Sequence, residues 1–154
     1  MGTFLGIRHT SSSSAAGLSR IFLGLLFLST GVMKFVVPSL RDAFSGQLTE
    51  AGLPFHSLNM WVVPLAEVVI GGLLLVGLFG RVASLVAIVM MTVATYVHLV
   101  VHNPDLFPLQ PEAPIIPLVV IVFCLYVLWA GSGSWSMDLR QVVEERGLRK
   151  EGLP

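Results

Sequence analysis

The sequence predicts an all-α polytopic membrane protein, a four-transmembrane-helix bundle with a short amphipathic helix in the first outer loop. Three observations carry that reading. Of 154 residues, 55% are hydrophobic and only 12% charged, whereas a soluble domain is about 25% charged. Mean hydropathy is +0.85. The few charges are also segregated. Ile21–Val37 holds only Lys34, Leu58–Gly80 holds only Glu67, and Val82–Val101 and Ala113–Gly133 hold no formal charge. A bilayer core of ~30 Å takes about 20 apolar helical residues, so each stretch is long enough to span, the first being the shortest. Buried helices of a soluble bundle would keep a polar face, which these lack.

In chain order, residues 1–16, with the Ser11–Ser14 run, read as a flexible leader. Residues 17–137 form the membrane domain, with spans at about 18–37, 58–80, 82–102 and 113–133. Residues 138–154 form a tail on the cytoplasmic side, where Asp138–Arg146 make one short helix ending at Gly147. The first span follows Arg8 and Arg20 as a signal peptide would, but no small-x-small cleavage site comes after it, so it reads as an uncleaved span.

Between the first two spans, Ser39-Leu40-Arg41-Asp42 resembles a capping box. Leu40, Phe44 and Leu48 then recur every fourth residue, opposite Arg41, Asp42, Gln47 and Glu50, until Gly52 and Pro54 stop the helix. This predicts a short amphipathic helix at the outer interface, able to fold over the bundle, the alternative being a solvated loop turn. The second such loop, His102–Glu112, carries Pro104, Pro108 and Pro111 and should be irregular. Gly17, Gly24 and Gly31 fall at heptad spacing, Ala83, Ala87 and Ala94 give the third span a small stripe, and the second span offers Gly71, Gly72 and Gly77. Small stripes let helices approach closely in lipid.

Orientation follows from lysine and arginine. Arg8, Arg20, Arg81, Arg140, Arg146, Arg149 and Lys150 share one side, against Lys34 and Arg41 on the other. Seven against two places both termini in the cytoplasm, with Arg20, Arg81 and Asp138 as anchors on that side. Net charge is zero, with nine basic and nine acidic residues, so nothing favours nucleic acid. The single cysteine, Cys124, excludes an intrachain disulfide, a CxxC pair and a thiolate cage, and reads as a small core residue. No phosphate loop, dinucleotide fingerprint or catalytic triad is present.

Ionisable residues inside spans are expensive and point to function. Glu67 lies six residues from Trp61, ~9 Å deep at the helical rise, and Lys34 lies four before Pro38, ~6 Å deep. His98 and His102 close the third span at the same end, so three helices place such residues at one level. Lys34 and Glu67 could simply neutralise each other. Alternatively, the cluster is a pocket for a polar-headed small molecule such as a quinone. There Lys34 would hold the head group and Glu67 or His98 would exchange protons, with Thr95 lining the cavity or only bonding a backbone carbonyl. In a third reading His98 and His102, one turn apart, bind a metal with Glu67 or His56. Proton or solute translocation is a fourth.

Arg20, Gly24, Phe27, Gly31 and Lys34 resemble the opening motif of DoxX-family membrane proteins, and Pro64, Glu67, Gly72, Gly77 and Arg81 resemble its second-span motif. Met91 and His98 fit the third span, and Gly131-Ser132-Gly133-Ser134-Trp135-Ser136-Met137-Asp138 resembles the closing glycine, serine and aspartate signature. The resemblance covers about residues 17–140. It implies a four-helix inner-membrane protein linked to redox enzymes, either as a subunit of a quinone-linked oxidoreductase or as a non-catalytic scaffold for partner enzymes. The implied partners are the bilayer and proteins of a membrane redox complex, or further copies of the chain.

Overall fold

The computed structural model describes residue 10 and residues 12–108, 110–111 and 113–150. Among the described residues six α-helices follow one another: α1 (Ser14–Val36), α2 (Pro38–Glu50), α3 (His56–Val76), α4 (Gly80–Val100), α5 (Ile115–Ala130) and α6 (Met137–Lys150). A 3-10 turn, Pro104–Leu106, joins α4 to α5. Among the described residues there is no strand. Helices α1, α3 and α4, of 23, 21 and 21 residues, are long and apolar enough to cross a membrane. The fourth apolar helix, α5, has 16 residues, which at the helical rise is ~24 Å. The sequence span over 113–133 is therefore longer than its helix. Pro114 sits at the N-cap, and Gly131, at φ 86°, turns the chain out of α5.

Helix α1 packs most closely on α3, and α4 on α5. The glycine stripe of α1 works within the chain. A Cβ on Gly24 would stand 2.9 Å from the backbone nitrogen of Leu75, and one on Gly31 would stand 2.8 Å from the Pro64 carbonyl. From α3, a Cβ on Gly71 would stand 2.5 Å from the Leu28 nitrogen. Gly72 departs from the expected stripe, since a side chain there would meet open space. The core between the helices joins Leu23, Phe27, Ile70, Leu74, Ala83, Ala87, Val120, Cys124 and Val127. Outward, each long helix exposes large apolar side chains, among them Leu25, Leu65, Val89 and Val122. That is the inside-out distribution a lipid solvent favours, because lipid solvates these side chains as well as a core does. Trp61 is exposed at the start of α3, and Trp129 and Trp135 at the opposite end of the bundle, as aromatic belts at the two interfaces require.

Two helix ends differ from their sequence signals. Helix α2 starts at Pro38 with Val37 as N-cap and no side-chain cap bond, so Ser39 is already helical and the capping box does not form. Proline at the first helical position has its φ preset and lacks the amide that a cap would satisfy, so it starts the helix without one. At the other end of the chain, α6 runs through Gly147 to Lys150; glycine stops a helix only where the chain enters the left-handed region. The amphipathic α2 does fold over the bundle, with Ala43, Phe44 and Leu48 buried.

Of the leader expected over 1–16, residues 1–9 and 11 lie outside the described residues. The rest is tied down. Thr10 Oγ1 accepts from the Gly133 amide at 2.8 Å, and the Ser13 carbonyl from the Ser134 amide at 3.1 Å. The Ser13 side chain caps α1 through the Ala16 amide, and the helix begins at Ser14.

Candidate functional site

Ionisable side chains are buried at both ends of the bundle. At the first end, where α1 stops and α3 starts, Lys34 Nζ donates to both carboxylate oxygens of Glu67 at 2.6 Å. The approach is set by Gly31, one turn before Lys34, whose missing side chain leaves room for the Cβ of Glu67. Glu67 is buried and Lys34 partly so. Phe44 of α2 covers the ammonium, its ring centroid 5.1 Å from Nζ. Beside it, Arg41 lies over the Trp61 ring at 4.7 Å. The sequence pairing of Lys34 with Glu67 is thus present, with a lid of α2 upon it.

His98 lies at this end on α4, but it does not join the pair. Its Nδ1 stands 2.9 Å from the Ala94 carbonyl, and its ring packs on Phe107 with centroids 4.2 Å apart. The residue is only 9% exposed, and its Nε2 has no hydrogen-bond partner among the described residues. A cavity of about 130 Å³ opens here, lined by His98, Val101, His102, Asn103, Pro104 and Phe107. The 3-10 turn that forms one wall is held by the Asn103 side chain, which accepts from the Asp105 amide at 3.1 Å. Helix α2 seats on the same turn, with Gln47 Nε2 donating to the Leu106 carbonyl.

The remaining expected site residues are placed elsewhere. Thr95 donates to the Met91 carbonyl at 2.8 Å, an i−4 bond within its own helix. The His56 ring is engaged with Ser45, its Nε2 3.1 Å from the Ser45 hydroxyl. His102 is exposed at the cavity. Among the described residues, no three His, Cys, Asp or Glu side chains gather to hold a metal ion, so the set His98, His102, Glu67 and His56 is not brought together. Phe44, Phe107 and Asn103 had no signal in sequence beyond the apolar spacing of α2, because a ring over a charge or an imidazole is set by tertiary placement.

At the second end, Arg20 and Asp138 are fully enclosed. Arg20 Nε donates to the Ser132 carbonyl at 2.8 Å, Nη1 to the carbonyls of Leu74 and Leu75, and Nη2 to that of Trp135 at 3.3 Å. Asp138 accepts from the amides of Phe79 and Gly80 at 3.0 and 3.1 Å and from the Ser132 hydroxyl at 2.5 Å. A cation therefore satisfies carbonyls at the C-terminal end of α3, and an anion satisfies amides at the N-terminal end of α4, each complementing the helix dipole it faces. Gly77, at φ 72°, makes the turn between them, and a Cβ there would stand 2.9 Å from Arg20 Cζ. Arg81 donates to the Trp129 carbonyl at 3.1 Å. The three expected anchors are ties between segments, two of them buried.

Three apolar helices of membrane-crossing length, a fourth shorter one, aromatic residues at both ends and ionisable groups turned inward define a multi-pass helical membrane protein. The chain belongs to the DoxX family, whose model matches residues 15–103. That match spans α1 to the end of α4; the closing segment with Asp138 lies beyond it. Over 145 residues the chain is 29% identical to the "Uncharacterized membrane protein Rv3486" of Mycobacterium tuberculosis, covering 86% of this chain and 84% of that protein. No solved structure matches.

Proposed function

We propose that this DoxX-family chain is an integral subunit of a membrane oxidoreductase system and binds a lipid-soluble small molecule, of the quinone class, by its polar head at the Lys34, Glu67 and His98 end. The observation that carries the reading is His98, a buried residue that lines a cavity and whose Nε2 has no hydrogen-bond partner among the described residues. Buried polar atoms are ordinarily paired, and an unpaired one marks a place for a missing partner. Lys34 and Glu67 stand at the same end as a charged pair able to orient a head group from outside the cavity. The host is the inner membrane with both termini cytoplasmic, supported by the seven-to-two lysine and arginine count.

The test is lipid extraction and mass spectrometry of the full chain purified in native-lipid discs. Wild type should retain a quinone-class molecule, and His98→Ala and Glu67→Gln should retain less. Equal retention in all three would sink the proposal. A second reading, a scaffold without a ligand that holds partner redox enzymes or further copies, is favoured by the mutual satisfaction of Lys34 and Glu67 at 2.6 Å and by the exposed apolar faces. It would be supported by partner recruitment that survives both substitutions. Orientation has its own check. Cysteines at Ser45 and Ser12 should label from outside and inside respectively, against little background because Cys124 is buried; the reverse pattern would invert the assignment.

A further inference from the structure

We propose that Arg41 and Trp61 bind the phosphodiester of a membrane phospholipid, the guanidinium forking onto two phosphate oxygens while the indole ring holds it in place. The site is separate from the His98 cavity and does not depend on a ligand there.

Two basic side chains stand at this end of the bundle, and they differ in how they are neutralised. Lys34 has its counter-ion in Glu67. Arg41 forms no ion pair and no side-chain hydrogen bond among the described residues. Asp42, next in the chain, is turned about 100° around the helix. Arg41 is nonetheless held. Its Cζ rests 4.7 Å from the centroid of the Trp61 ring, and Phe35 packs on that ring too, with centroids 6.1 Å apart. Helices α1, α2 and α3 thus each contribute one side chain to the cluster. The ring attracts the charge but supplies no oxygen to the five N–H donors of a guanidinium. Arg41 is half-buried, yet none of its three nitrogens is sealed from the surface.

The surroundings of the ring specify the acceptor. Trp61 is 56% exposed, and Phe55, Leu58, Val62 and Leu65 are exposed before and after it. Such an apolar face belongs in lipid. It begins well ahead of Trp61, because Phe55 lies six residues earlier, ~9 Å along the helix axis. A guanidinium seated on that ring therefore stands at the boundary of headgroups and acyl chains, where a cation without an anion is costly. The anion that the bilayer itself supplies at that boundary is the lipid phosphate. Its two non-bridging oxygens match the guanidinium fork, which can donate two parallel N–H···O bonds to them. Lys34 is neutralised from within the protein, and Arg41 from the membrane.

The test reads Trp61 fluorescence in bilayers. Trp129→Phe and Trp135→Phe leave Trp61 as the one tryptophan of the full chain, and lipids brominated high on their acyl chains quench it on contact. Mixtures of brominated phosphatidylglycerol with plain digalactosyldiacylglycerol, and the same pair with the label reversed, give the relative affinity of the two lipids at this ring. The phospholipid should be favoured about fivefold, the range one arginine at the interface confers. Arg41→Gln should bring the ratio to about one. Arg41→Lys, which keeps the charge and loses the fork, should fall between. A ratio of one in the parent chain, or an unchanged ratio in Arg41→Gln, would overturn the site. Lysine equal to arginine would reduce the effect to net charge and overturn the bidentate contact. Soluble glycerol phosphate at millimolar concentration should leave the ratio unmoved. A fall in the ratio would assign the site to free phosphate esters and overturn the lipid reading.

Discussion

At one end of the bundle Arg20 commits all three guanidinium nitrogens to four backbone carbonyls, while at the other His98 leaves one ring nitrogen bare beside a cavity. Both side chains are buried, yet they are enclosed for different ends. Apart from the Ser132 hydroxyl, the partners of Arg20 and Asp138 are peptide groups of the α3–α4 turn and of the segment at the end of α5. Those groups must be satisfied wherever the chain turns inside or near a bilayer. At the first end, side chains outside the bundle core meet backbone groups of the loop, Gln47 at the Leu106 carbonyl and Asn103 at the Asp105 amide. Helix α4 runs out past His98 into a loop, and its imidazole uses one nitrogen on its own helix and keeps the other. The difference separates a closed clasp from an open site, and substitutions at the two ends should show it.

The largest effect belongs to the clasp. Arg20→Leu leaves the carbonyls of Leu74, Leu75, Ser132 and Trp135 without donors. Asp138→Leu strips acceptors from two amides and a hydroxyl. Removing one side of a buried ionic arrangement costs about 3–5 kcal/mol, so each variant should lose its monodisperse elution or unfold at much lower temperature in detergent. Near-wild-type unfolding midpoints would show that the clasp does not hold the turn. His98→Ala should cost less than either, because it removes only the contact with the Phe107 ring and a bond to the Ala94 carbonyl of its own helix.

The charge pair at the first end should respond less. Glu67→Gln leaves Lys34 without its counter-ion, but the ammonium is partly exposed and sits against the Phe44 face. A long cationic side chain can extend toward the interface, so the loss should be about 2 kcal/mol, below that of a fully enclosed pair. The double variant Lys34→Met, Glu67→Leu should recover most of it, since an apolar pair of similar size needs no compensation. Recovery measured by a double-mutant cycle would mark the pair as mutually neutralising in the empty protein. No recovery would mean that one of the two charges has another partner.

The sequence made these two ends legible to different depths. Charge segregation is a property of the whole chain, so the membrane class and the helix order could be read directly. Depth along a helix could be read too, which is why Lys34 and Glu67 were expected together and are together. Depth does not give azimuth. His98 stands at the expected level yet turns to Phe107 rather than to Glu67, and Phe107 lies in a proline-rich loop with no periodic pattern. Arg20 and Asp138 were read as charges that set orientation, because counting lysine and arginine registers sign and not burial. Their ties cross 112 residues from Arg20 to Ser132 and 58 from Gly80 to Asp138, and local spacing carries no trace of them. The same holds for the ends of α2 and α6, where Pro38 overrode a capping signal and Gly147 stayed helical.

Two glycine substitutions sharpen the contrast at the smallest scale. Gly77 turns the chain at φ 72°, and a Cβ there would stand 2.8 Å from the Ser136 Cα and 2.9 Å from Arg20 Cζ. Neither obstacle can withdraw without opening the clasp, and the left-handed backbone is itself unfavourable for alanine, so Gly77→Ala should cost about 1–2 kcal/mol. Gly46 lies inside α2 over the cavity turn, and there the Cβ would meet only the Leu106 side chain, Cδ2 at 2.5 Å. The end of a leucine can change rotamer, and alanine in place of a helical glycine gains about 1 kcal/mol. Gly46→Ala should therefore fall within about 1 kcal/mol of wild type, the displacement of Leu106 offsetting the propensity gain. Paired thermal unfolding of the two variants reads the difference. A cost at Gly46 equal to that at Gly77 would mean that the cavity end is packed as tightly as the clasp, and would leave α2 no latitude to admit a ligand beneath it.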